Sequence, residues 1–148
     1  MAVTSAPVST VAREAQQLFF EIGMVQRVRI GHALADLGLT FAQAHALRLL
    51  DPEQPLPMSV LAQQLVCDAS NVTGIADRLE SRGLIERRAA GADRRVKVLA
   101  LTPAGVEVRE RVRELMSEPP EAIAALSEED QLALRDILLR ARAHLPPT

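Results

Sequence analysis

Between Arg78 and Lys97 the chain concentrates cationic side chains. Arg78, Arg82, Arg87, Arg88, Arg94, Arg95 and Lys97 stand against Glu80, Glu86 and Asp93, a local excess of four positive charges. The chain as a whole is acidic, with 17 Lys and Arg against 19 Asp and Glu. A basic window inside an acidic chain is the electrostatic footprint of a phosphate-binding surface. The same window is also compatible with a solvated surface strip, and the elements that carry it decide between the two. Other chemistry finds little support. His32, His45 and His144 are scattered, and one cysteine, Cys67, builds neither a disulfide framework nor a cysteine-based zinc cluster. There is no nucleophile elbow, no phosphate-binding glycine loop and no carboxylate pair in an apolar setting. The expectation is a protein without catalytic activity, cofactor or metal.

Apolar residues make up 48% of the 148 residues and charged residues 24%, a composition that folds as about one domain. Aromatics are 2%, all of them Phe, so the core must come from Leu, Val, Ile and Ala. No run of eighteen apolar residues offers a membrane span, and residues 1–10 lack the pattern of a secretory leader. A soluble, cytoplasmic, largely helical domain is expected.

Apolar spacing predicts the elements. Val11, Ala15, Leu18, Ile22 and Val25 recur at alternating steps of four and three, a heptad-like helical seam that Leu34 and Leu37 extend to Gly38. Phe19, Phe20 and Met24 lie off that seam, so this helix should pack on two things, one of them another subunit. Thr40 and Gln43 fit a capping box for a second helix, which the prolines at 52, 55 and 57 end. Ser59 opens a short helix over 60–66. After Cys67, Asp68 should cap a helix over 69–82 that buries Val72, Ile75, Ala76 and Leu79 and stops at Gly83. Two helices joined by so short a turn are the helix-turn-helix pattern. Residues 84–88 and 95–101 read as two strands around a turn at 89–94. Thr102 and Pro103 then start a helix with Val106, Val108, Val112, Leu115 and Met116 inward. After the break at Pro119 and Pro120, Ser127 opens a last helix with acidic residues in its first turn.

A helix-turn-helix followed at once by a hairpin is a winged helix. Its second helix can enter the major groove, where base edges are distinguishable, and its hairpin can reach the backbone or the minor groove. The basic window falls on those two elements, which favours binding to double-stranded DNA.

The chain resembles the MarR family of winged-helix transcription regulators. The matching stretches are Leu39-Thr40, Leu61-Ala62-Gln63-Gln64-Leu65, Val72-Thr73, Leu79-Glu80-Ser81-Arg82-Gly83-Leu84-Ile85-Glu86-Arg87, Asp93-Arg94-Arg95 and Leu101-Thr102-Pro103-Ala104-Gly105. Their order and spacing carry the resemblance over roughly residues 11 to 144. It implies a mainly α fold with a small two- or three-stranded β wing, a winged helix-turn-helix with N- and C-terminal dimerisation helices. The dimerisation helices would be 9–37 and 103–145, and the DNA-binding lobe 39–102. It also implies a homodimer on an inverted-repeat operator, in most cases a repressor, and in many cases one released by a small ligand bound between the dimer helices and the lobe.

Ser70, Asn71 and Thr73 would present short polar groups to base edges or phosphates, with Gly74 allowing close approach and Arg78 on phosphate. In the family pattern Asp93 braces Arg95 and the wing tip enters the minor groove, with Arg94 a second charge there. Arg88 and Lys97 are secondary phosphate candidates. Arg27, Arg29, His32, His45 and Arg48 lie near where family ligands bind. They would suit an aromatic acid or phenolic effector, and would equally serve as surface charges or dimer contacts. His144 suits a helix C-terminus. Family members that sense peroxide carry the sensing cysteine in the first helix, where this chain has none, so Cys67 is expected to be a buried structural thiol. Two alternatives stand beside the DNA-binding reading: a winged helix used only as a protein-interaction module, and a redox-responsive regulator acting through Cys67.

Overall fold

The long seam helix forms as expected. In the computed structural model, which describes residues 9–65, 69–90 and 93–146 (side chains excepted at 69, 70, 90 and 93–96), helix α1 spans Thr10–Asp36. The Ser9 hydroxyl accepts the Ala12 N–H at 3.0 Å and so caps its start. Its end is a left-handed turn at Gly38, φ 66°, with Gly38 N–H donating to Ala35 O and Leu39 N–H to Leu34 O, each at 2.8 Å. The next helix, α2 (Phe41–Leu49), carries the capping box: Thr40 N–H donates to Gln43 Oε1 at 3.0 Å, and Gln43 N–H to Thr40 Oγ1 at 3.3 Å.

The proline-rich stretch after α2 is more than a connection. Leu56–Pro57 forms a short strand β1, antiparallel to Leu99 and Val98. Helix α3 (Met58–Leu65) follows directly, and three residues beyond it α4 (Ala69–Ser81) begins. Cys67 and the expected cap Asp68 lie outside the described residues. Helix α4 buries Val72, Ile75, Ala76 and Leu79 as its spacing predicts, and ends at Gly83, φ 67°, in the same turn as α1. There Gly83 N–H donates to Glu80 O at 2.8 Å and Leu84 N–H to Leu79 O at 3.0 Å. Both ends need positive φ at the residue after the cap, which glycine adopts without a Cβ clash.

The wing is a three-stranded antiparallel sheet in the order β1-β3-β2, with β2 at Ile85–Ala90 and β3 at Asp93–Leu101. The expected turn at 89–94 is too long, because Ala89 and Ala90 stay in the ladder. Only residues 91 and 92 separate the strands, and Gly91 lies outside the described residues. The register slips near the tip: Ala89 pairs with Lys97 but Ala90 with Asp93, so Arg94, Arg95 and Val96 have no partners on β2. Such bulges bend a strand and redirect its side chains.

Helix α5 (Pro103–Ser117) starts on Thr102, whose hydroxyl accepts the Gly105 N–H at 3.0 Å. Two compact units are present. Val28–Ser117 holds the hydrophobic core, almost wholly aliphatic, in which Leu34, Leu47, Leu61, Leu79, Ile85, Leu99 and Val112 are buried. The other unit comprises Met1–Arg27 and Glu118–Thr148. It contains the first part of α1, a short helix α6 (Glu121–Ala124) that the sequence pattern did not suggest, and α7 (Glu128–Arg142). Ser127 Oγ accepts the Asp130 N–H at 3.1 Å to start α7, and Gln26 Nε2 donates to Glu118 O at 3.1 Å. In this unit large apolar side chains stand in the open: Val11 is 72% exposed, Phe19 69%, and Ile137 52%. Among the described residues no helix is long and apolar enough to cross a membrane.

Candidate nucleic-acid interface

Helix α4 has two distinct faces. Val72, Ile75, Ala76 and Leu79 are packed into the core, while Asn71, Thr73, Gly74 and Arg78 are exposed. Spacings of three and four put each set on its own side. No described residue lies within 4 Å of a Cβ at Gly74, so the surface is open there toward the described residues. Asn71, Gly74 and Arg78 also line a cleft of about 260 Å3 with Thr40, Ala42 and Gln43. The start of α2 therefore adjoins the outer face of α4, and its N-terminal end carries partial positive charge. Sequence reasoning did not place Thr40 or Ala42 at this surface, although the capping box marked the helix end. The Ser70 side chain lies outside the described ones.

The basic window divides by duty. Arg82 follows α4 and donates from Nη1 to Gly38 O at 2.6 Å and from Nη2 to Leu37 O at 2.8 Å. Arg87, on β2, binds Asp77 at 2.5 Å and also Glu80, both on α4, and its own N–H donates to Glu80 Oε1 at 3.0 Å. These two arginines hold the lobe together. Arg88 is paired with Glu86 on its own strand. Arg78 makes no ion pair with a described residue, and Asp77 and Glu80 beside it are both paired with Arg87; Lys97 is exposed. The backbones of Asp93, Arg94 and Arg95 lie in β3, and their side chains lie outside the described ones.

Burial is the largest single influence on Arg87 and lowers its pKa. The hydrogen bonds and charges of Asp77 and Glu80 together outweigh it and raise the pKa above the ordinary guanidinium value. A raised pKa in the folded state gives stability that is present below the ordinary value and lost only as pH climbs through the higher one, so this tie is insensitive to pH in the neutral range. Replacing Arg87 by Met should destabilise the lobe by about 1 kcal/mol, a figure held down by the solvent exposure of both carboxylates. Urea unfolding checks it. A double-mutant cycle with Glu80→Gln should show coupling, and additive losses would mean that the pair contributes nothing.

Arg48 lines a cleft of about 360 Å3 with Arg109, Glu110, Arg113, Glu114, Met116 and Ser117, between α2 and α5. His32 and His45 are not among its walls and both are exposed, while Arg27 belongs to the other unit. Arg109 Nη1 donates to Glu110 at 2.8 Å, but its buried Nε has no hydrogen-bond partner among the described residues. Among the described residues Arg48 Nη1 donates to the Met116 sulfur, at 3.5 Å, a weak acceptor. Three arginines over two glutamates leave a cationic cleft with an apolar wall. Its α5 side was not foreseen, because Arg109 and Arg113 lie some sixty residues from Arg48. Among the described residues no group of three His, Cys, Asp or Glu could hold a metal ion.

Comparison with known proteins gives a consistent picture. The sequence model of the MarR family matches residues 39–97. The chain is 34% identical over 106 residues to the HTH-type transcriptional regulator FarR of Neisseria gonorrhoeae, covering 71% of this chain and 73% of that one. Its fold is similar to that of the YusO protein of Bacillus subtilis, with a TM-score of 0.76, 28% identity and coverage of 93% and 100% of the two chains. It is also similar to that of a MepR mutant of S. aureus bound to an oligodeoxyribonucleotide, with a TM-score of 0.68, 24% identity and coverage of 89% and 98%.

Proposed function

This chain belongs to the MarR family, and from that premise we propose that it is a ligand-responsive repressor that binds an inverted-repeat operator as a homodimer. The observation that carries the reading is the outer face of α4, where Asn71, Thr73, Gly74 and Arg78 stand exposed opposite four buried apolar residues.

In this reading α4 lies in the major groove. Ser70, Asn71 and Thr73 meet base edges, and Arg78 holds a phosphate beside the start of α2. Arg94 and Arg95 fall where β3 leaves its regular pairing, and the wing tip they occupy enters the minor groove, whose negative potential suits arginine. Lys97, and Arg88 where Glu86 releases it, add phosphate contacts. Residues 39–102 form the reading lobe, and helices within 9–37 and 103–145 join two copies. The two lobes then meet sites about 34 Å apart or a multiple of it. The effector is an organic anion, an aromatic acid or phenolic compound, and Arg48 with Arg109 and Arg113 forms its cleft. It releases DNA by binding more tightly to a lobe spacing that no longer fits the operator.

Selection of duplexes from a random-sequence pool by the purified protein tests the reading and should yield two half-sites in inverted order. Affinity for the selected duplex should fall steeply with salt as condensed counterions are released. An apolar protein-interaction module would show no such fall. Arg95→Ala should weaken binding by about 1–3 kcal/mol while the dimer survives. Equal binding by variant and parent at matched salt would remove the wing from recognition.

A further inference from the structure

The ends of α1 and α4 are built alike, and one side chain joins them. At the end of α1 the turn at Gly38 uses the carbonyls of Leu34 and Ala35, and leaves those of Leu37 and Gly38 without backbone donors among the described residues. Arg82 supplies both, at 2.8 and 2.6 Å, from the two terminal nitrogens of its guanidinium. It stands where α4 turns into Gly83, so its backbone is fixed by the bonds from Gly83 to Glu80 and from Leu84 to Leu79. A Cβ at Gly38 would sit 3.3–3.5 Å from the same guanidinium, which shows how closely the two ends meet. A planar fork reaching two successive carbonyls fixes direction as well as distance, which an ammonium cannot do. A cation at a helix C-terminus also meets the negative end of its dipole.

We propose that Arg82 is a positioning residue for DNA recognition, which sets the angle of α4 against the end of α1 without touching DNA itself. The proposal rests on the reading of α4 as the recognition helix. It takes Arg82 out of the phosphate-binding set that the charge count suggested, and gives it a duty toward sequence selectivity. Residues that hold a reading element in place change specific binding more than non-specific binding, because phosphate attraction tolerates small rotations that base contacts do not.

The test compares the parent with Arg82→Gln, Arg82→Lys and Arg78→Gln. Two probes are used: the duplex selected by the parent from a random pool, and a scrambled duplex of equal length and composition. Each protein is first titrated at stoichiometric concentration, so that affinity is counted per active molecule. Arg82→Gln should bind the selected duplex roughly tenfold more weakly, with unchanged affinity for the scrambled one and an unchanged salt slope. Arg82→Lys should fall between, since one carbonyl regains a donor. Arg78→Gln should weaken both duplexes and reduce the salt slope by about 1. If Arg82→Gln behaves like Arg78→Gln, Arg82 is a phosphate contact and the proposal is wrong. If Arg82→Gln matches the parent per active molecule, the clamp has no part in recognition. A parent that binds neither duplex would overturn the proposed function first, and this inference with it.

Discussion

Gly105→Ala is expected to destabilise the fold by about 3 kcal/mol. Gly105 lies in the first turn of α5, where a Cβ would stand 1.8 Å from the Leu84 carbonyl oxygen and 2.8 Å from its carbon. Neither atom belongs to a side chain that can turn aside. Leu84 O accepts the Thr102 N–H at 3.1 Å, and Leu84 N–H closes the end of α4. Thr102 Oγ1 donates to Gly83 O at 2.6 Å while accepting from Gly105 N–H. Alanine would therefore push apart the junction of α4, the wing and α5 at once. Urea unfolding followed by circular dichroism measures the loss. Gly74→Ala is the control: Gly74 is helical with no described residue within 4 Å of a Cβ, and alanine there should add about 1 kcal/mol. A Gly105→Ala protein as stable as the parent would mean that α5 does not approach Leu84 so closely.

The second large effect concerns the proposed dimer. Leu18 is 59% exposed and Ile22 37%, on the seam of α1 whose spacing suits a partner helix. A monomeric protein seldom leaves a seam of large apolar side chains in water. Leu18→Asp with Ile22→Asp should give a folded single chain, because the core cluster of the other unit begins at Ile30. Sedimentation should show one copy where the parent shows two. Affinity for the selected duplex should drop roughly 100-fold or more, since a second half-site adds that much through effective concentration. Should the double variant remain dimeric, with parental affinity, the seam is not the interface.

Much of this architecture was readable because it is local. Thr40 with Gln43, Thr102 with Pro103, and the glycines at 38 and 83 announce helix ends by short-range chemistry, and each is found doing so. The inward face of α4 follows from spacing alone. What escaped depends on partners distant in sequence. Strand β1 is two residues long, contains a proline and has no alternation to show, so only its pairing with β3 reveals it. The wing turn is shorter than expected because the slip in register near Ala90 absorbs residues that composition assigns to a loop. The charge count was right in sum and incomplete in meaning. Arg82 and Arg87 look like phosphate ligands in a sliding window, yet their acceptors are Gly38, Leu37, Asp77 and Glu80. Window arithmetic sees charge but not where a side chain reaches. The cleft around Arg48 was hidden likewise, since α2 supplies one wall and α5 the other.

Sedimentation of the purified protein with the duplex it selects measures the outcome most directly. Two copies of the chain on each duplex, dissociating together as salt is raised, is the result expected if paired winged helices read an inverted repeat. A single copy on the duplex, or free duplex at every salt concentration, would contradict it.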